Sequence, residues 1–250
     1  MTIHRRHLIL GTAANTLGAN RAARGDGLAR HKAIAFDGFV LIDPRPLAVR
    51  AEALFPGKGA ALMEAWRMRQ FEYTWLRTLS RRYADFWQVT QEALTVAAVG
   101  LKLDMPSEAR ERLMQTFLEL KTWPDVEPAL RDLKARGVRM AFLANPTPRM
   151  LQAPIENSAL DGLLEEPLST DRVQAYKPDP RAYQMGLDAF GLAREEIVFA
   201  ASASWDAAGA KAFGYPSFWV NRTNLPIEAL GATPDAIGGG MADLAKFVIG

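Results

Sequence analysis

Three segments of this 250-residue chain carry side chains that could do covalent chemistry together. Asp37 closes the apolar run Ala33-Ile34-Ala35-Phe36, and far downstream stand Tyr176-Lys177-Pro178-Asp179-Pro180 and Ser204-Trp205-Asp206. An apolar run of this length reads as a buried parallel strand. The carboxyl end of such a strand is where open α/β sheets place their chemistry. A carboxylate there, joined by a lysine and a second carboxylate from later strand ends, makes a nucleophile with its helpers. The competing reading is a surface aspartate at a strand-loop junction with Lys177 in a structural ion pair.

Elements that would position these groups follow in alternation. Lys32 to Asp43 reads as strand then turn, ending at Pro44-Arg45-Pro46. Glu127 to Arg136 reads as a helix stopped by Gly137, Val138 to Ala144 as a strand, and the stretch near Met150 as a helix. Pro180 to Phe190 is a predicted helix ended by Gly191, Ile197 to Ala201 a strand, Asp206 to Phe213 a helix ended by Gly214, and Ser217 to Val220 a strand. Such alternation predicts an α/β fold with a doubly wound, Rossmann-like parallel sheet. Between the first strand and the next lies a helical block. Its predicted core stripe is Leu62, Trp66, Tyr73, Leu76 and Tyr83, followed by helices over Asp85 to Val99 and Ser107 to Leu120, the latter capped by Ser107. The expected organisation is a segment 1–31 set apart, a core of 32–46 with 124–250, and a helical cap of 47–123 inserted after the first strand.

Composition removes several function classes. The chain is 49% hydrophobic and 23% charged, with a net charge of +2. The first 31 residues hold five Arg and one Asp, so the remainder stands near −2 and offers no basic footprint for nucleic acid. No apolar stretch approaches the length of a membrane span. There is no cysteine, and His4, His7 and His31 all fall in the first 31 residues, so a Ser-His-Asp triad, a Cys-His dyad and a His/Cys zinc site are not expected in the body. In the N-terminal segment Arg5-Arg6 precede a mildly apolar stretch, His7 to Leu17, and then Gly18-Ala19-Asn20. This resembles a twin-arginine export signal and implies a periplasmic enzyme; a plain basic extension on a cytoplasmic protein is the alternative.

The body resembles the haloacid dehalogenase superfamily, and within it the L-2-haloacid dehalogenases of type II. Three stretches carry the resemblance: the run Trp66 to Arg77, the run Tyr176 to Tyr183, and Trp205-Asp206-Ala207-Ala208-Gly209-Ala210. The resemblance implies that Asp37 attacks the halogen-bearing carbon of a small 2-haloacid, halide leaving with inversion. Water, activated with help from Asp206 and Lys177, then hydrolyses the aspartyl ester to a 2-hydroxy acid. Arg67 is implied to receive the departing halide; Phe71, Phe86 and Trp205 to line an apolar pocket; and Tyr183 to orient Asp37 or Lys177. Asn145 and Ser202 are assigned to the substrate and halide subsite. No cofactor or metal is implied, and a homodimer is.

This sequence departs from the family's motifs in a cluster. The first motif runs Asp37-Gly38-Phe39-Val40-Leu41-Ile42-Asp43, one residue shorter than usual, with Val40 or Leu41 where a threonine stands in the family. Ala144 replaces a serine implied to grip the substrate carboxylate, and Ala201 and Ala203 replace a serine and an asparagine. Asn145, Thr147, Ser202 and Ser204 are the polar groups left to compensate. Two alternatives follow: an impaired member acting as an anion-binding protein, and a phosphatase. The second is disfavoured because position 39 is Phe, where phosphatases of the superfamily carry a second aspartate.

Overall fold

In the first strand, β1 (Ala33–Phe36), successive side chains go to opposite sides of the sheet, and both sides are dry. Ile34 and Phe36 join one apolar cluster with Met140, Phe142, Val198 and Ala200. Ala33 and Ala35 join a second with Ala141, Leu143, Ile197 and Phe199. A strand buried on both faces reads as a continuous apolar run, not an alternating one. The structure, a computed structural model, describes residues 29–250; the twin-arginine segment, with His4 and His7, lies outside them.

After β1 come a single helical turn α1 (Gly38–Leu41) and four helices, α2 (Arg45–Leu54), α3 (Gly59–Leu79), α4 (Phe86–Gly100) and α5 (Ser107–Glu119). The chain leaves and re-enters the core where Ile42 and Thr122 form an isolated antiparallel bridge. Then follow α6 (Val126–Ala135), β2 (Arg139–Ala144), α7 (Pro148–Asn157), β3 (Leu168–Ser169), a 3-10 turn over Thr170–Arg172, α8 (Pro180–Phe190) and β4 (Ile197–Ala201). The chain closes with α9 (Ser204–Phe213), β5 (Ser217–Val220), β6 (Ala236–Gly238) and α10 (Met241–Ile249). All strand pairs are parallel, in the order β3-β2-β1-β4-β5-β6. The order reverses beside β1, so the crevice for ligand opens at the carboxyl ends of β1 and β4.

The helical block follows a different seam from the predicted stripe. On α3 the buried residues after Gly59 are Leu62, Trp66, Gln70 and Thr74, one every four positions, while Leu76 is 60% exposed. Two polar residues can occupy the seam because their groups are satisfied. Trp66 Nε1 donates to Thr90 O at 2.7 Å, Gln70 Nε2 to Thr90 Oγ1 at 2.7 Å, and Thr74 Oγ1 to Phe71 O at 2.7 Å. Tyr83 lies past the helix end. Ser107 is the first residue of α5 and not its cap, since Pro106 holds the cap position and no side-chain cap bond forms.

His31 belongs to the folded body, against expectation. Its backbone N–H bonds Val248 O at 3.1 Å, its Nδ1 lies 3.1 Å from Glu195 O, and its ring stacks on Phe247 at 5.6 Å. Burial lowers its pKa, opposed by the Glu195 carbonyl. It stands at the amino end of β1, roughly 20 Å of strand from Asp37 at about 3.3 Å per residue, so it cannot serve that carboxylate. Among the described residues no helix is long and apolar enough to cross a membrane.

Candidate active site

Asp37 follows the last residue of β1, and its N–H is held by Ala200 O of β4 at 2.9 Å. Phe36 pairs with Phe142 on one side and Ala200 on the other, so Asp37 sits level with the ends of β2 and β4. Lys177 reaches the same point from the loop before α8, and Asp206 from the first turn of α9. Lys177 Nζ donates to Asp37 Oδ1 at 2.8 Å and to Asp206 Oδ2 at 2.5 Å. The three predicted chemical groups therefore meet on one ammonium. Ser202 donates its hydroxyl to Asp37 Oδ2. Side-chain exposure separates the roles: Lys177 and Asp206 are each 1% exposed, Asp37 14%. Of the three, Asp37 is the one open enough to meet a substrate carbon.

The electrostatics suit a nucleophile backed by a proton acceptor. Burial works to raise the Asp37 pKa, but the Lys177 charge, with hydrogen bonds from Lys177, Ser202 and Gly38, brings it below the usual carboxylate range. Burial also opposes the charge on Lys177, yet the two carboxylates outweigh it and raise that pKa. Asp206 is pushed up to about 6, chiefly by burial, with the Asp37 charge adding and Lys177 opposing. One cation thus serves two acids, and the more deeply buried acid has its pKa raised to about 6.

Tyr183 lies one turn into α8 and is fully buried. Its hydroxyl donates to Asp206 Oδ1 at 2.7 Å. This corrects the expectation: the Tyr183 hydroxyl bonds Asp206, and neither Asp37 nor Lys177. Two glycines make the arrangement possible. A Cβ at Gly209 would stand 2.5 Å from the Tyr183 hydroxyl, and one at Gly186 would stand 2.5 Å from the hydroxyl of Tyr215, which donates to Tyr183 O at 2.7 Å. Tyr183→Phe is expected to remove a bond that favours the ionised Asp206. The acid limb of the pH–rate profile, expected near 6 from Asp206, should then move upward by about 0.7 pH unit for a bond of about 1 kcal/mol. An unmoved limb would contradict the assignment of that limb to the Asp37–Lys177–Asp206 assembly.

The remaining predicted groups divide. Asn145 is buried and its Oδ1 accepts the Lys177 N–H at 3.1 Å, so it fastens the lysine loop. Thr147 caps α7 through Met150 N, and Ser204 Oγ accepts the Glu228 N–H at 3.0 Å. Of the four groups left to compensate for lost polar residues, Ser202 alone bonds the Asp37 side chain. Phe86 packs within the core, 6.1 Å from Tyr176, and is not one of the rings around Trp205. Arg67 is exposed on α3 with its guanidinium 5.5 Å from the Phe71 ring centroid, and it takes no ion-pair partner among the described residues. Phe71 and Trp205 meet edge to face at 5.5 Å.

Trp75 was not among the predicted residues, yet it completes this aromatic group. Its ring stacks on Phe71 at 5.9 Å and meets Trp205 edge-on at 5.6 Å. Helical spacing could have found it: Arg67, Phe71 and Trp75 are four apart, one position beyond the buried seam of Trp66, Gln70 and Thr74. That row turns toward α9, and Trp205 adjoins Asp206. Phe199 was also missed; it lies beneath Lys177 with Nζ 5.0 Å from its ring centroid. Among the described residues no cluster of three His, Cys, Asp or Glu side chains could hold a metal ion.

A parallel sheet with helices inserted after β1, and a solvent-reaching aspartate backed by a buried Lys–Asp pair, make the arrangement that a carboxylate nucleophile needs. Residues 12–214 match the model of the haloacid dehalogenase-like hydrolases. The chain is 42% identical over 205 residues to haloacetate dehalogenase H-2 of Moraxella sp. (strain B), covering 82% of this chain and 92% of that one. It is 41% identical over 205 residues to an (S)-2-haloacid dehalogenase of Pseudomonas sp. (strain YL), covering 82% and 88%. A solved L-2-haloacid dehalogenase from Xanthobacter autotrophicus, with chloropropionic acid covalently bound, superposes with a TM-score of 0.80 at 31% identity, covering 88% of this chain and 99% of that one. The chain belongs to the haloacid dehalogenase-like hydrolases, in the branch of the (S)-2-haloacid dehalogenases.

Proposed function

We propose that this enzyme hydrolyses the carbon–halogen bond of small (S)-2-haloalkanoic acids through an ester on Asp37. The observation that carries this reading is the single ammonium of Lys177 bonded to both carboxylates while Asp37 alone reaches solvent. In the first step an Asp37 oxygen attacks the halogen-bearing carbon from the side opposite the halogen. The C–O bond forms as the C–halogen bond breaks with its electron pair, and halide departs. In the second step Asp206, whose pKa near 6 suits a base at neutral pH, takes a proton as water attacks the carboxyl carbon of Asp37. Collapse releases the 2-hydroxy acid, whose alkoxide takes up that proton; the second proton of the water leaves the regenerated Asp37 carboxyl for solvent, and that carboxylate keeps one oxygen from water.

Arg67 is the proposed receiver of halide, with Phe71, Trp75 and Trp205 as the apolar wall. A donor set in advance for developing negative charge contributes about 2–4 kcal/mol to the transition state. Arg67→Leu is therefore expected to lower kcat/KM for L-2-chloropropionate by roughly 30-fold to 1000-fold. A value within threefold of the parent would remove Arg67 from this role. Halide release from a panel of two- to four-carbon 2-haloacids, with Asp37→Asn as control, tests the function itself. No release from any member would overturn it.

A homodimer is proposed from the outer face of the helical block, where Met68, Leu76 and Leu79 on α3 are exposed with Val96 and Val99 on α4. Light scattering of the parent and of Leu79→Glu is expected to give a dimer and a weakened dimer; a monomeric parent would end the proposal. Export rests on Arg5-Arg6 and the apolar stretch after them, and cell fractionation of the parent against an Arg5→Lys, Arg6→Lys chain tests it.

A further inference from the structure

The segment joining α3 to α4 is bound to the loop that carries Lys177, and Tyr176 is the point of attachment. All three polar groups of Tyr176 are engaged. Its N–H donates to Thr78 Oγ1 at 3.0 Å, its hydroxyl donates to Ala84 O at 2.5 Å, and its carbonyl accepts the Asp179 N–H at 3.0 Å. Its ring is covered by Tyr83 at 5.0 Å, stacked, and by Phe86 at 6.1 Å. The Tyr83 hydroxyl crosses the same junction and donates to Asp171 Oδ1. Asp171 is anchored in turn to β3 and the loop after β2, because its N–H donates to Ser169 Oγ at 3.2 Å and Ser169 Oγ donates to Pro146 O at 2.8 Å. Two non-glycine residues in the left-handed region flank the junction, Arg81 with φ 57° and Gln174 with φ 50°. Such conformations persist only where surrounding contacts over-determine them.

From this geometry we propose that Tyr83, through Asp171 and Tyr176, is a positioning residue: it seats the helical block so that the next residue, Lys177, spans Asp37 and Asp206. Tyr83 touches neither substrate nor the reacting atoms. Its role rests on the reading of Asp37 as nucleophile, because only then does the placement of Lys177 govern a rate. The lever is short. Lys177 N is pinned to Asn145 Oδ1 at 3.1 Å on one side, and Tyr176 is pinned to the helical block on the other. Slack at Tyr176 is therefore taken up by the Lys177 side chain, whose Nζ is, among the described residues, the one cation bonded to either carboxylate. The charged groups acting on the Tyr83–Asp171–Tyr176 junction are Asp85 and Arg77.

Tyr83→Phe keeps the stacked ring and deletes the hydroxyl. It is expected to lower kcat about tenfold with KM within about twofold of the parent, the pattern of an interaction made only in the transition state. Because Lys177 then opposes the Asp206 charge less well on the other side of that loop, the Asp206 carboxyl, followed by carbon-13 NMR, is expected to titrate at least about half a pH unit higher. Asp171→Leu should behave like Tyr83→Phe, whereas Asp171→Asn, which keeps an acceptor, should resemble the parent in both readouts. A merely structural contact would lower the melting temperature and move neither. An unmoved Asp206 titration, or a kcat within twofold of the parent, overturns the positioning role. Should the parent release no halide, the dehalogenase reading fails separately, and the NMR titration alone decides on Tyr83.

Discussion

Replacing Asp37 by asparagine is expected to end halide release, with kcat reduced about 10⁴-fold or more, while the protein remains folded. The amide is isosteric, so Lys177 keeps an oxygen acceptor at the position now 2.8 Å away and Ser202 keeps a partner. The buried assembly passes from two carboxylates on one ammonium to a single ion pair. With the like charge removed, Asp206 is expected to titrate below its present value of about 6. A large loss of rate in a protein that stays folded is what removal of a nucleophile predicts, and it separates chemistry from folding. The companion experiment uses the parent enzyme in oxygen-18 water over many turnovers. Mass analysis of the peptide holding Asp37 should find the label in that carboxylate, because each ester hydrolysis leaves one water oxygen there. Label confined to the hydroxy acid, with none in the peptide, would mean that water attacks the substrate directly, and the ester mechanism would be wrong.

The strands that build the site were legible because they are buried on both faces. Ile197–Ala201 and Ser217–Val220 are found where the apolar runs place them, and α8 begins at Pro180 and ends before Gly191. Each boundary is a physical stop: a proline where a helix can begin, a glycine with φ 62° where it ends. Elements without such signals escaped. β3 is two residues long, too short to show a period, and β6 is half exposed, with Ile237 51% open to solvent. The helix α10 was passed over, although Met241, Leu244 and Val248 lie on one face, and its burial against β5 and α6 also draws His31 into the body.

Within the site, residue type and place in the sequence motifs were enough to gather Asp37, Lys177 and Asp206. They were not enough to say which atom each neighbour touches. Tyr183 and Asn145 were expected near the reacting groups and are near them, but Tyr183 serves Asp206 from behind and Asn145 holds a backbone N–H. The direction of a side chain depends on what the facing element leaves open, here the missing side chains of Gly186 and Gly209 on two different helices. In the same way, a buried seam containing Gln70 and Thr74 cannot be read as apolar. It becomes legible only once Thr90 of α4 is seen to accept the donor of Gln70.

Lys177→Met should produce the largest combined effect on rate and stability. The methionine fills much of the same volume over Phe199 but leaves two buried carboxylates facing each other without a cation. Removing one partner of a buried charge assembly costs about 3–5 kcal/mol at neutral pH, because the remaining charge is neither paired nor hydrated. The sign of its pH dependence follows. In the variant both carboxyls would have folded pKa values above their unfolded values, so their unfavourable effect is absent below the unfolded carboxylate range. It grows as pH rises from the unfolded carboxylate value toward the folded values and is complete above them. Denaturant unfolding should therefore show the deficit relative to the parent shrinking as pH falls from 7 toward 4. In the parent, Asp37 has the opposite sign: its depressed pKa contributes stability present above the unfolded value and lost on acidification. The pair of curves should converge in acid. Parallel curves would mean that Lys177 contributes only packing, and its place between the two acids would then explain neither the ionisation of Asp37 nor the near-neutral titration of Asp206.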